Sequence, residues 1–122
     1  MSKWQVLKLV RPNGKAPYDK WADGLPPADR ARVDQALDAI EQVTQIPPEK
    51  VKKYLDLYEV KIYGKDSAFR PLAIKDGDNK LIILLVGTTK KGKIPQHEYA
   101  AALKLAKLYQ RGGCDVKKYW EA

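Results

Sequence analysis

The chain has 122 residues, 44% hydrophobic and 31% charged, a balance that supports a folded core and argues against disorder over most of its length. Lysine and arginine number 23 against 15 acidic residues, a net charge of +8, and one cysteine with one histidine exclude an internal disulfide and are too few for a conventional zinc site. The longest apolar run, residues 81–87, falls far short of the ~20 residues of a membrane span, and Met1-Ser2-Lys3 leads into amphipathic sequence without an apolar signal core, so one cytoplasmic domain over residues 1–122 is expected.

The first element in the chain is a strand over residues 4–10, closed by Pro12-Asn13-Gly14. A short helical stretch near Tyr18 to Ala22 ends at Asp23-Gly24. Pro26-Pro27 then opens a helix over residues 28–44, with Asp29 in its first turn and Val33, Leu37, Ile40 and Thr44 along one face. Ile46-Pro47-Pro48 ends it, and residues 49–54 read as one further basic turn.

From there the period falls to two. Tyr58, Val60 and Ile62 alternate with Glu59, Lys61 and Tyr63, a strand with one apolar face. Gly64-Lys65-Asp66-Ser67 is a turn, residues 69–75 a second strand, and Asp76-Gly77-Asp78-Asn79 another turn. Residues 81–86 are apolar at every position, as in a strand covered on both faces. Three successive strands with four-residue turns make an antiparallel meander. Pro71 interrupts the second of them; proline donates nothing to a ladder, so this strand is at an edge there or carries a bulge, beside Arg70.

A basic loop over residues 88–93 leads through Pro95 into a helix that reaches Arg111 and stops at Gly112-Gly113, with Glu98 in its first turn. Tyr99, Ala102, Leu103 and Ala106 form its apolar stripe, and Leu105 with Leu108 broadens the stripe towards a second partner. The tail from Cys114 to Ala122 has no clear period and is expected to fray. The order gives an α+β fold: an antiparallel sheet of the N-terminal strand plus the three-stranded meander, with helices packed on it.

The positive charge is unevenly placed. Residues 1–47 carry 7 basic and 6 acidic side chains, whereas residues 48–122 carry 16 and 9. That asymmetry points either to a polyanionic partner, nucleic acid above all, or to a solvated basic surface.

One set of motifs goes further. Trp21…Leu25-Pro26, Leu57-Tyr58-Glu59-Val60-Lys61-Ile62, Phe69-Arg70-Pro71-Leu72, residues 81–86, and Lys90-Lys91-Gly92-Lys93-Ile94-Pro95-Gln96-His97-Glu98-Tyr99 with Ala102 stand in fixed order. Together, over residues 20–111, they resemble the RelE/HigB superfamily of bacterial toxins, particularly its phage-derived HigB-like branch. The resemblance implies a small RelE-like domain, the toxin of a type II toxin–antitoxin pair. It implies a ribosome-dependent endoribonuclease that cuts mRNA by 2′-hydroxyl attack without metal or other cofactor. It also implies a cognate antitoxin, commonly a helix-turn-helix DNA-binding protein. Two alternatives stay open: a basic module that binds RNA or ribosome without cutting, and a transcriptional co-regulator that acts in complex with the antitoxin. Lys61 stands where the superfamily's Glu-Leu-Arg motif has arginine, and Gly87-Thr88 stand where a histidine and an aromatic often follow the apolar strand.

Within that frame Arg70 is the leading catalytic candidate, since its planar fork grips two phosphate oxygens; the alternative is an ion pair with Glu59 across the hairpin. Lys61 and Lys91 are candidate acids for the departing 5′-oxygen. His97 is a reserve acid–base group or an ordinary exposed residue of a helix start. Lys90, Lys93, Lys75 and Tyr109 are candidate RNA contacts. Trp4, Trp21 and Tyr99 read as packing residues, and Cys114 has no histidine nearby in sequence to make it a nucleophile.

Overall fold

The structure, a computed structural model, describes residues 2–64, 68–88 and 93–122. In chain order the elements are β1 (Gln5–Val10), α1 (Pro17–Asp23), α2 (Pro27–Glu41), β2 (Val51–Tyr54), β3 (Leu57–Val60), β4 (Ile62–Tyr63), β5 (Ala68–Phe69), β6 (Leu72–Asp76), β7 (Leu81–Val86), α3 (Gln96–Gln110) and β8 (Asp115–Lys118). Six strands form one sheet in the order β2-β3-β6-β7-β1-β8, and β4 pairs with β5 as a separate ribbon.

Helices cover both faces of this sheet. On one, Tyr18 and Ala22 of α1 and Val33, Leu37 and Ile40 of α2 pack on Val6, Val60, Ala73, Ile82 and Leu84. On the other, Ala102, Leu105 and Ala106 of α3 pack on Leu7, Leu9, Leu57, Leu72, Ile83 and Leu85. The unbroken apolar run of β7 follows, because its alternate residues enter two different cores. Each such side chain contributes about 1.5–3 kcal/mol by leaving water.

The mostly antiparallel α+β architecture agrees with the sequence reading, with four local corrections. First, β1 runs parallel to β7, Val6 beside Ile82, and antiparallel to β8, so the first strand is central. Second, residues 49–54 form no helical turn. They supply β2, an edge strand paired with β3 through the two-residue turn Leu55-Asp56, in which Leu55 adopts a φ of 53°.

Third, the tail is part of the sheet. β8 pairs with β1, and Tyr119 is only 6% exposed. The buried Lys8 ammonium ties this end down: it donates to both carboxylate oxygens of Asp19 on α1, each at 2.8 Å, and to the Glu121 carbonyl. Fourth, Leu105 is buried against the sheet, and Leu108 packs where a side chain on Gly113 would stand, so that flank of α3 faces its own fold.

The shortened end of α2 has a physical cause. Glu41 turns its carboxylate to the sheet, where it accepts from the Val6 N–H at 3.0 Å and from Lys118 Nζ at 2.7 Å. The Thr44 carbonyl beyond it accepts from Trp4 Nε1 and Lys80 Nζ instead of continuing the helix.

Candidate functional site

The meander breaks once, and the break makes a site. Lys61 separates β3 from β4, and Arg70-Pro71 separates β5 from β6. Glu59 pairs with Leu72, the Val60 N–H donates to the Pro71 carbonyl at 2.9 Å, and Ile62 pairs with Phe69. The register therefore runs unchanged through the gap and sets Lys61 opposite Arg70.

Pro71 has no N–H to give, and the Arg70 backbone is anchored on its other side. The Arg70 N–H donates to the Thr88 carbonyl at 3.0 Å, and the Thr88 hydroxyl donates back to the Arg70 carbonyl at 2.8 Å. The β6–β7 register shifts immediately afterwards, between Leu72 and Ala73. Of the two ways of accommodating the proline, an edge position or a bulge, the register shift corresponds to the second, since β6 lies inside the sheet between β3 and β7.

On the other flank the Lys61 N–H donates to the Lys50 carbonyl at 2.8 Å. Lys50, Lys61 and Arg70 thus occupy one rung across three strand paths, and Lys52 faces Glu59 on the next rung. Paired antiparallel residues share a face, here the one carrying Leu57, Leu72 and α3. Four cations thus share the face of Glu59, and two of them, Arg70 and Lys61, reach its carboxylate.

That carboxylate organises the others. Glu59 is 3% exposed; Arg70 Nε lies 2.8 Å from its Oε2 and Lys61 Nζ 4.0 Å from its Oε1. The ion pair foreseen as the alternative to phosphate binding is therefore present. It also fixes the guanidinium against a 280 Å³ cleft lined by Lys61, Ile62, Tyr63, Ala68, Phe69 and Arg70. Two cations held at the edge of a cleft by a buried anion suit a phosphodiester and the extra charge it gains during cleavage.

The remaining candidates scatter. Lys75 is on the opposite face, its Nζ 5.6 Å from the Trp4 ring and 5.4 Å from the Tyr58 ring. Lys93 lines a second cavity of 460 Å³ with Tyr54, Leu55, Pro95 and Tyr99. His97 is exposed in the first turn of α3 and lines neither cavity. Tyr109 is half-buried against the α3-side core. Lys90 and Lys91 lie outside the described residues.

Tyr99 packs as expected, edge-on to Tyr54 at 5.8 Å, its hydroxyl accepting from the Asp56 N–H. Trp21 packs edge-on to Phe69 at 6.1 Å. A Cβ on Gly87 would come within 1.9 Å of the Trp21 ring, so this glycine makes room for the indole, while Thr88 clamps Arg70.

Lys50 and Lys52 are not legible as site residues in the sequence, because residues 49–54 read there as a helical turn. The signal lay in Val51 and Leu57 with Val60, whose spacing about Leu55-Asp56 is that of a hairpin. Among the described residues no three His, Cys, Asp or Glu side chains come together as a metal-binding group, and no helix is long and apolar enough to cross a membrane.

The model of a family described as "Phage derived protein Gp49-like (DUF891)" matches residues 20–107. The matched span runs from within α1 to within α3 and contains the whole cation rung; β1 and β8 lie outside it. No curated protein and no solved structure matches the chain.

Proposed function

The chain belongs to the phage-derived Gp49-like family, within the RelE/HigB-like toxin–antitoxin superfamily, and from that premise we propose that it is a toxin that cuts ribosome-bound mRNA. In this reading it stands with the HigB-like toxins, acts in the cytoplasm and is held silent by a cognate antitoxin. The observation that carries the proposal is the rung on which Lys61 faces Arg70 beside the buried Glu59.

The chemistry follows from what that rung offers. The RNA's own 2′-hydroxyl forms a bond to the adjacent phosphorus while the bond to the 5′-oxygen breaks, leaving a cyclic phosphate and a new 5′-hydroxyl. The proton of the attacking hydroxyl passes to solvent water, and one joins the departing oxygen from the protein. Arg70 clamps the phosphate as negative charge builds on it. Lys61, at the same rung, supplies the departing oxygen with its proton, and Lys91 is the other candidate for that step. His97 remains in reserve as an acid–base group. Lys50, Lys52, Lys90 and Lys93 guide the backbone electrostatically.

A second reading, a basic module that binds ribosome or RNA without cutting, is favoured by one observation: the Arg70 Nε is already engaged by Glu59. Induced expression in a bacterium separates the readings. Growth arrest with new mRNA 5′ ends is expected. Arrest without new ends supports the binding module, and no arrest supports a co-regulator that works only with its antitoxin.

A further inference from the structure

We propose that Tyr63 is a stacking platform for a nucleobase next to the phosphate that Arg70 holds, an inference that rests on the RNA-cleaving reading. Tyr63 is 71% exposed, which is unusual for a ring on a paired strand. It lies two residues beyond Lys61 on the same strand path, and therefore on the face that carries Lys61 and Arg70. Its cross-strand partner is Ala68, whose small side chain leaves space over the ribbon. Tyr63, Ala68, Lys61 and Arg70 line the same cleft.

The ribbon beneath is anchored. Ile62 and Phe69, on its other face, are 3% and 1% exposed within the core under α1 and α2, and Trp21 packs edge-on to Phe69. Tyr63 thus presents a ring on a rooted support, with the cations Lys61 and Arg70 lining the same cleft. Tyrosine has few side-chain torsions to lose, and stacking accepts any base because every base has a π face. The occupant indicated is a single-stranded nucleotide, since the adjoining cations take its phosphate and the ring takes its base. An antitoxin segment is the competing occupant.

The test uses the full-length chain and ribosomes carrying a short mRNA with 2-aminopurine in the vacant A-site codon, 2′-O-methylated there to block attack. Binding of the parent should quench the 2-aminopurine emission. Tyr63→Ala should lose most of the quenching and bind roughly 5- to 150-fold more weakly, the range for one stacked base. Tyr63→Trp and Tyr63→Phe should restore both, which a merely structural role of the hydroxyl or the fold would not produce. Equal binding and equal quenching by Tyr63→Ala would overturn the assignment. So would a Tyr63→Ala variant that binds the programmed ribosome normally but fails to bind its antitoxin. A parent that cuts unblocked mRNA without quenching overturns Tyr63 stacking alone. A parent that neither cuts nor binds overturns the RNA-cleaving reading as well.

Discussion

Glu59 receives Arg70 Nε at 2.8 Å from a position almost sealed from solvent, so the residue best placed to hold a phosphate is also the partner of a buried anion. Truncating Arg70 therefore has two consequences that are separable. Arg70→Ala should slow single-turnover cleavage by ~10²–10³, the usual loss of one preorganised donor. It should also destabilise the fold by about 1–3 kcal/mol, less than for a fully sealed pair because Arg70 is one-fifth exposed and Lys61 stays near the carboxylate. Adding Glu59→Gln should return much of the stability in urea titrations and none of the cleavage. Cleavage by Arg70→Ala at the parental rate would remove Arg70 from the site.

Gly87 and Trp21 make the second prediction. A methyl group at residue 87 has no room beside the indole, so Gly87→Ala should cost about 1–3 kcal/mol by overpacking. Trp21→Leu should relieve part of that cost, giving a double-variant effect well below the sum of the two. Additive losses in chemical denaturation would show that the two residues do not press on each other in solution.

Burial that a segment reports through its own period is legible in the sequence. The 3.6-residue stripe of Val33, Leu37 and Ile40 and the continuous apolar run of β7 report their own burial, whatever the rest of the chain does. The β2 hairpin hid because Leu55 takes a left-handed φ without glycine or asparagine to announce it. The tail hid because its order comes from partners far away in sequence: Lys118 on Glu41, and the Glu121 carbonyl on Lys8. The site was half legible. Arg70 stands out as a charge among apolar strand residues and Lys61 only through the family resemblance, but the register alone reveals that Lys50 joins them. Lys75 follows the opposite rule, being five residues from Arg70 and so on the other face of the sheet.

Alkaline pH should expose two buried phenols. Burial, aided by the carboxylates of Glu41, Asp38 and Asp34, pushes the Tyr119 hydroxyl up to about 12; burial, then Asp34, raises that of Tyr18. The unfolded chain gives up these protons near pH 10.0 while the folded chain keeps them. Stability is thus fully present below pH 10 and falls as pH rises, because the native state then binds more protons. Tyr119→Phe should flatten the fall in urea midpoint between about pH 10 and 12. Tyr18→Phe should flatten it too, and should cost under ~1 kcal/mol at neutral pH, since the buried hydroxyl has no hydrogen-bond partner among the described residues.

The two faces of the sheet supply the last prediction. Each lysine that neutralises one phosphate of a single strand adds about 0.7 to the slope of log affinity against log salt. Lys50→Ala and Lys52→Ala remove exposed cations from the rung and the one beside it, so each should weaken binding to programmed ribosomes and reduce that slope by about 0.7, with the chemical step near normal. Lys61→Ala should instead lower the single-turnover rate at saturating toxin, because it takes a proton donor from the cleft. Lys75→Ala is the internal control. Its ammonium sits over Trp4 and Tyr58 on the far face, so removal should cost roughly 0.5–1 kcal/mol of stability through the lost cation–π contacts and leave the salt slope unchanged. If Lys75→Ala reduces the slope as much as Lys52→Ala does, the RNA path is not confined to the face of Arg70.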